Sequence, residues 1–386
     1  MKAPMSETLQ RWMKEVTRLT RSGCLTEATQ VIQQALGQHP PPMSAAASSP
    51  IQPDVIDGCV AEVGADTAPI SCPVARGEGS TLTGQHSEAG LTRSYLLYLP
   101  PAAPSDAPAA KLPLVVMLHG CTQDPADFAL GTGMNVLARE QGFAVLYPAQ
   151  AQDANPQRCW NWFKHNHQQR GHGEAAVLAS MTRAVIAEHG LDARRVYVAG
   201  LSAGGAMAAI LGHAYADIYA AVGIHSGLAS GAAGDLMSAL AAMKNGPIKP
   251  TSAPGPAHRG EPGNAAIGAL APLPTIVFHG DGDAVVHPGN GTQAIAAALG
   301  ASQPRGSDAA EAPMVEQGVS AQGRRYTRTV YARAEGKAAQ AEHWVVHGGG
   351  HAWSGGSTQG SYTDPSGPDA TREMWRFFSD HIASIS

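Results

Sequence analysis

A serine framed by glycines, Gly200-Leu201-Ser202-Ala203-Gly204-Gly205, follows the apolar run Arg195 to Ala199 and precedes the run Ala206 to Leu211. A G-x-S-x-G turn between a strand and a helix holds its serine in a strained backbone conformation, and the flanking glycines let neighbouring backbone pass close by. The hydroxyl then stands at a helix N-terminus, within reach of a substrate. A serine hydroxyl is a poor nucleophile at neutral pH. It requires an imidazole to take its proton and a carboxylate to orient and charge-stabilise that imidazole. In such a strand–elbow–helix arrangement the two partners follow the serine in the order acid, then histidine.

Downstream, Pro274 to Phe278 reads as a buried strand that runs into His279-Gly280-Asp281-Gly282-Asp283. One of these two carboxylates is the candidate acid. Asp283 is preferred, because Ala284-Val285-Val286-His287-Pro288 re-enters after it and can anchor the loop tip; Asp281, at the strand exit, stays open and could instead cap the turn. Among 16 histidines, His351 stands in the glycine-rich loop Gly348-Gly349-Gly350-His351-Ala352-Trp353, where an imidazole can swing under the serine. His347 is the runner-up, at a strand end that suits a hydrogen-bonded structural role. The four-residue spacing of the two would suit a metal on a helix, but three glycines intervene and no Glu follows the first His, so no metal is expected.

Acyl transfer also needs backbone N–H groups aimed at the developing oxyanion. One is that of Ala203, after the nucleophile. The second is expected from Leu118-His119-Gly120-Cys121-Thr122-Gln123, where a His-Gly at a strand end exposes the amide of Cys121. Trp160, Trp162 and Trp353 lie in neighbouring motifs and could wall a cleft for an aliphatic chain, with Asn161 and Gln123 bonding ester carbonyls; the alternative is that they pack the core. Trp12, Trp344 and Trp375 read as packing.

Elements that can position these residues alternate along the chain. Ser94–Leu99, Leu112–Leu118, Phe143–Tyr147, Val196–Ala199, Ala221–Ile224, Thr275–Phe278 and Trp344–Val346 read as strands, and 173–189, 204–216, 291–299 and 369–384 as helices. This alternation predicts an α/β fold with a mainly parallel sheet covered by helices on both faces. Residues 245–274 and 301–323 lack periodicity and read as surface insertions. Ahead of the sheet, residues 1–38 read as an N-terminal helical hairpin and 39–55 as a Pro/Ala/Ser linker, leaving 56–386 as the catalytic domain.

Composition narrows the partners. With 26 Lys and Arg against 31 Asp and Glu the formal charge of the 386-residue chain is −5, so nucleic acid is not an expected partner. No apolar run approaches the roughly 18 residues of a membrane span. The amphipathic start, Leu9, Trp12, Met13, Val16 and Leu19, is not the continuous apolar core of a signal peptide, which predicts a cytoplasmic protein. Five scattered cysteines, Cys24, Cys59, Cys72, Cys121 and Cys159, are then expected as reduced thiols.

The set Leu118 to Gln123, Cys159-Trp160-Asn161-Trp162-Phe163, Arg195 to Gly205, Phe278 to Asp283 with Pro288 and Asn290-Gly291, and Gly349 to Trp353 resembles the catalytic domain of polyhydroxybutyrate depolymerases and their esterase relatives. The resemblance covers about residues 80 to 384. It implies an α/β-hydrolase fold and ester cleavage through Ser202, Asp283 and His351, with no cofactor. The expected substrate is polyhydroxybutyrate or short-chain 3-hydroxyalkanoate oligomers, with a storage-granule surface left open as a partner. The hairpin, and the absence of a signal peptide, make the chain look more like the intracellular members. In exported relatives Cys121 and Cys159 could be joined as a disulfide, whereas a reducing cytoplasm would leave them as thiols. Related sequences include feruloyl, acetylxylan and aromatic polyester esterases, which stay as alternatives. A non-catalytic granule-binding or scaffold protein is a further one.

Overall fold

The computed structural model describes residues 78–102, 110–247, 272–300, 312–332 and 338–383. The chain divides into two units, Met1–Cys72 and Pro73–Ser386, and all described residues belong to the second. The expected hairpin and linker, with Trp12, Cys24, Cys59 and Cys72, lie outside the described residues.

Apolar runs of five or six residues become strands because each can be buried on both faces. The strands are β1 (Ser80–Glu88), β2 (Leu91–Leu99), β3 (Leu114–Leu118), β4 (Ala144–Pro148), β5 (Val196–Leu201), β6 (Ala221–His225), β7 (Thr275–Gly280), β8 (Met314–Val319), β9 (Arg325–Tyr331) and β10 (Ala341–Val346). They form one sheet in the order β1-β2-β4-β3-β5-β6-β7-β10-β9-β8. The block from β4 to β10 is parallel. Antiparallel hairpins, β1–β2 and β8–β9, close its two edges.

Seven described helices cover the sheet: α1 (Pro125–Thr132), α2 (Met134–Gln141), α3 (Gly173–His189), α4 (Ala203–Ala214), α5 (Leu236–Asn245), α6 (Gly289–Leu299) and α7 (Ala370–Ser379). Alternation along each strand feeds two cores. Leu114, Val116, Val196, Val198 and Val277 pack with residues of α3, α4 and α6. Val115, Met117, Tyr197, Ala199 and Phe278 pack with Phe128 of α1, Leu137 of α2, and Met374, Phe377 and Phe378 of α7. Local chemistry sets the helix ends. Asp124 caps α1 ahead of Pro125, and Asp235 with Ser238 forms a capping box at α5.

One expectation is corrected here. Residues 301–323 read as a polar insertion, yet 314–319 form β8 at the sheet edge. Almost every β8 side chain is exposed, so the strand has no buried face to impress an alternating pattern on its sequence.

Candidate active site

Four loops leave the same end of the parallel block: those after β3, β5, β7 and β10. The elbow after β5 turns straight from strand into helix. Ser202 has φ 58° and ψ −119°, an unusual conformation for a residue with a side chain. Its amide donates to the His225 carbonyl at 2.9 Å, and its carbonyl accepts from Ala206 as α4 begins. A Cβ on Gly204 would fall on the Leu118 carbonyl oxygen, so glycine there lets α4 start directly against the exit of β3. A Cβ on Gly120 would stand 3.7 Å from the Ser202 Cβ, which puts the loop after β3 beside the serine.

That loop is tied down from beneath. The Gly120 amide donates to Gln123 Oε1 at 2.9 Å, while Gln123 Nε2 donates to Asp127 and Ser361. Among the described residues, neither the Cys121 nor the Ala203 amide has a protein acceptor, so both N–H groups stay free for another oxygen. Cys121 is disulfide-bonded to Cys159, with Cα atoms 4.2 Å apart. This corrects the expectation of free thiols for that pair. Thr122 N donating to Gln157 O and Trp160 Nε1 donating to His119 O bring the two loops together, a proximity that 38 residues of separation conceal in the sequence.

The acid and the imidazole meet. His351 Nδ1 lies 2.8 Å from Asp283 Oδ2, so the ring donates to the carboxylate. Asp283 Oδ1 accepts from the amides of Val285 and Val286, each at 2.9 Å, which anchors the loop tip. Burial alone would raise the Asp283 pKa. Hydrogen bonds from His279 and His351, the His351 charge and the Val286 amide outweigh it and hold the carboxyl well below the usual range. His279 Nε2 lies 2.9 Å from the Val286 carbonyl and 3.5 Å from Asp283 Oδ2.

His225 supports the histidine loop. Its Nε2 accepts from the Ser354 amide at 2.9 Å, and its ring stacks between Phe278 and Trp353. Burial above all, with repulsion from His279 and His351, pulls its pKa down to about 3, so it acts as a neutral acceptor. The runner-up residues also pair with each other: His347 Nδ1 lies 2.8 Å from Asp281 Oδ2, and Gly348 N donates to Asp281 Oδ1.

The five residues expected to touch substrate are packed within the protein. Trp160, Trp162, Trp353, Asn161 and Gln123 are all buried. Trp353 Nε1 donates to Thr371 and its ring meets Phe128 edge-on. Asn161 donates through its amide and its Nδ2 to Glu174. Trp160, Trp353, Asn161 and Gln123 hold the loops from below, since their polar atoms already have protein partners, while Trp162 packs in the apolar core. Trp344 is buried and Trp375 stacks on Phe143, as packing residues do.

Glu174 is the supporting residue that sequence reasoning missed. Fully buried in the first turn of α3, it accepts from Arg93, Gln150 and Asn161. Burial would raise its pKa, but hydrogen bonds from His167, Gln150 and Asn161 keep it lowered. The signal was an acid opening the otherwise apolar run Gly173 to Leu178, which also fits an ordinary helix start.

Residues 93–310 match the family described as Esterase PHB depolymerase. Poly(3-hydroxyalkanoate) depolymerase C of Paucimonas lemoignei is 36% identical over 193 residues, 50% of this chain and 45% of that protein. Feruloyl esterase B of Thermothelomyces thermophilus is 31% identical over 183 residues, 46% of this chain and 60% of that protein. The chain thus matches less than two thirds of either relative's length. Among solved structures, an acetyl xylan esterase from Aspergillus awamori superposes with a TM-score of 0.54 at 18% identity, over 78% of this chain and all of that one. At that identity the likeness is one of fold, the α/β-hydrolase sheet.

Proposed function

The chain belongs to the Esterase PHB depolymerase family, and from that premise we propose that it is a serine esterase hydrolysing polyhydroxybutyrate or short-chain 3-hydroxyalkanoate oligomers through an acyl-enzyme. The observation that carries this reading is the buried Asp283–His351 hydrogen bond at the same sheet end as the strained Ser202 elbow.

Ser202 Oγ attacks the ester carbonyl as His351 Nε2 takes its proton. Asp283, accepting from Nδ1–H, fixes the tautomer and stabilises the imidazolium. The free amides of Cys121 and Ala203 receive the oxyanion; losing one such donor costs about 3 kcal/mol in comparable hydrolases. The alcohol leaves with the proton from His351. Water, deprotonated by the same ring, then releases the hydroxy acid and restores Ser202. The proposed cycle uses only these side chains, two backbone amides and water.

Similarity to feruloyl esterase B favours a second reading, release of feruloyl or acetyl groups. On location, no described helix is long and apolar enough to cross a membrane. The Cys121–Cys159 bond argues for an oxidising compartment, against the cytoplasmic expectation, because such bonds persist there. The substrate surface is then polyester material outside the reducing cytoplasm, and a cytoplasmic granule is the weaker partner.

The deciding experiment measures turbidity loss of amorphous polyhydroxybutyrate granules beside hydrolysis of a short-chain chromogenic ester and methyl ferulate, with wild type and Ser202→Ala. Granule clearing that vanishes in the variant is expected. Faster turnover of the ferulate without clearing would transfer the assignment to the second reading.

A further inference from the structure

The pair Asp281–His347 takes no part in the proton transfers above, yet it joins the two loops that carry the acid and the base. Strands β7 and β10 are parallel neighbours with Gly280 opposite Val346, so their loops leave the sheet side by side. Four bonds cross between them close to the sheet. Asp281 N donates to Val346 O, and Gly282 N to Gly349 O at 3.0 Å. Gly348 N donates to Asp281 Oδ1 at 2.6 Å, and His347 Nδ1 to Asp281 Oδ2 at 2.8 Å. The approach is tight, since a Cβ on Gly280 would fall on the Gly349 carbonyl oxygen.

His347 carries the linkage one strand further. Its Nε2 lies 2.8 Å from Thr327 Oγ1 on β9, and its amide donates to Arg325 O. An ionised carboxylate only accepts, so Nδ1 holds the ring proton and Nε2 accepts from the threonine hydroxyl. Thr327, His347 and Asp281 thus form a directed chain from β9 to the acid loop. Its hydroxyl–imidazole–carboxylate order repeats that of a nucleophilic site. Thr327, however, lies in mid-strand, with β9 paired to β8 and β10 on its two sides, and no elbow or helix start presents it.

We propose that Asp281 and His347 are positioning residues: their clamp fixes the register of the loop after β7 against the loop after β10, and thereby the alignment of Asp283 with His351. The inference rests on the esterase reading of that same site. Asp281 is two residues from Asp283, and His347 is four from His351. A slip of about 1 Å at reacting groups can cost as much as ~100-fold in rate.

The test compares wild type, Asp281→Ala, His347→Ala and Asp281→Asn for kcat and KM on a soluble chromogenic ester, for the rate of phosphonate labelling at Ser202, and for Tm. The alanine variants are expected to lose about tenfold in kcat and in labelling rate, with KM within about twofold, because the clamp acts on alignment and not on substrate binding. Asp281→Asn is expected to restore most of the rate. Its Oδ1 still accepts from Gly348, and its Nδ2 donates to His347 Nδ1 once the ring adopts the other tautomer. Alanine variants with wild-type kcat would overturn the proposal, as would a loss that merely tracks the unfolded fraction or an asparagine no better than alanine. Wild type inactive on every ester and unlabelled would remove the esterase reading, and the clamp with it. An active wild type beside unaffected variants removes the clamp alone.

Discussion

Asp283–His351 and Asp281–His347 are built from the same residue types, leave the same two loops and meet at the same 2.8 Å. They differ in surroundings. Side-chain exposure is 0% for Asp283 and 11% for His351, against 44% for Asp281 and 32% for His347. The inner pair lies at the elbow end of the sheet, next to a second imidazole and two anchoring amides; the outer pair faces solvent and a threonine. Burial would raise the Asp281 pKa, but hydrogen bonds from His347 and Gly348 outweigh it and hold the carboxyl below its usual value. An exposed side-chain hydrogen bond of this kind contributes only about 0–1 kcal/mol to stability. The same contact therefore does different work: within the proposed mechanism the inner pair moves protons, and the outer pair aligns loops.

The largest separation between the pairs is kinetic. His351→Ala should lower kcat on a chromogenic ester by about 10⁴-fold or more, whereas His347→Ala should stay near tenfold; equal losses would erase the distinction. Next comes the disulfide on the inner side, which closes a loop across 38 residues. Replacing both cysteines by serine should remove about 2–4 kcal/mol of unfolding free energy in urea titrations, along with some kcat through the Cys121 amide. An unchanged midpoint would dissociate the bond from the site's rigidity.

Acid sharpens the contrast further. The pKa of His225 is about 3 and that of His343 about 4, both lowered first by burial. The unfolded chain, with ordinary histidines near 6.5, binds more protons than the folded one below that pH, so stability rises with pH through the window and levels off above it. Each such histidine should withdraw about 1.4 kcal/mol per pH unit as pH falls below about 6.5, until its folded pKa is reached. Asp283, with its depressed pKa, adds a loss on passing below about 3.8. Tm recorded from pH 7 to 4 should slope downward, and less steeply in His225→Gln; a flat wild-type profile would contradict the buried neutral ring. The smallest effect belongs to Thr327→Val, at the β9 end of the outer chain, where stability should change by about 0.5 kcal/mol or less and kcat by about twofold.

Much of this site was legible before any coordinates. Ser202 announced itself because an elbow needs glycines at fixed offsets, and those offsets are local. Asp283 was favoured over Asp281 through the chain re-entering after it, and the amides of Val285 and Val286 bond its carboxylate in that stretch. The parallel block was legible because strands buried on both faces read as unbroken apolar runs. The outer hairpin strand β8 was not, for its exposed faces leave no pattern. Trp160, Trp162, Trp353, Asn161 and Gln123 were singled out as substrate contacts, and all five side chains are buried. Their orientation was invisible, because an aromatic or amide beside a site can point toward substrate or into the protein with the same sequence.

The sequence by itself determined the glycine-framed elbow at Ser202 and the two-faced sheet, since each depends on residues near one another in the chain. Only the tertiary structure decided what depends on distant segments meeting. It joined Cys121 to Cys159, set Glu174 beneath the loop after β4, where Gln150 and Asn161 donate to it, and sorted two Asp–His pairs of identical composition into a buried one and an exposed one. Burial, and with it the local dielectric and the strength of every charge, is a property of what packs around a residue and is written in no single stretch of chain.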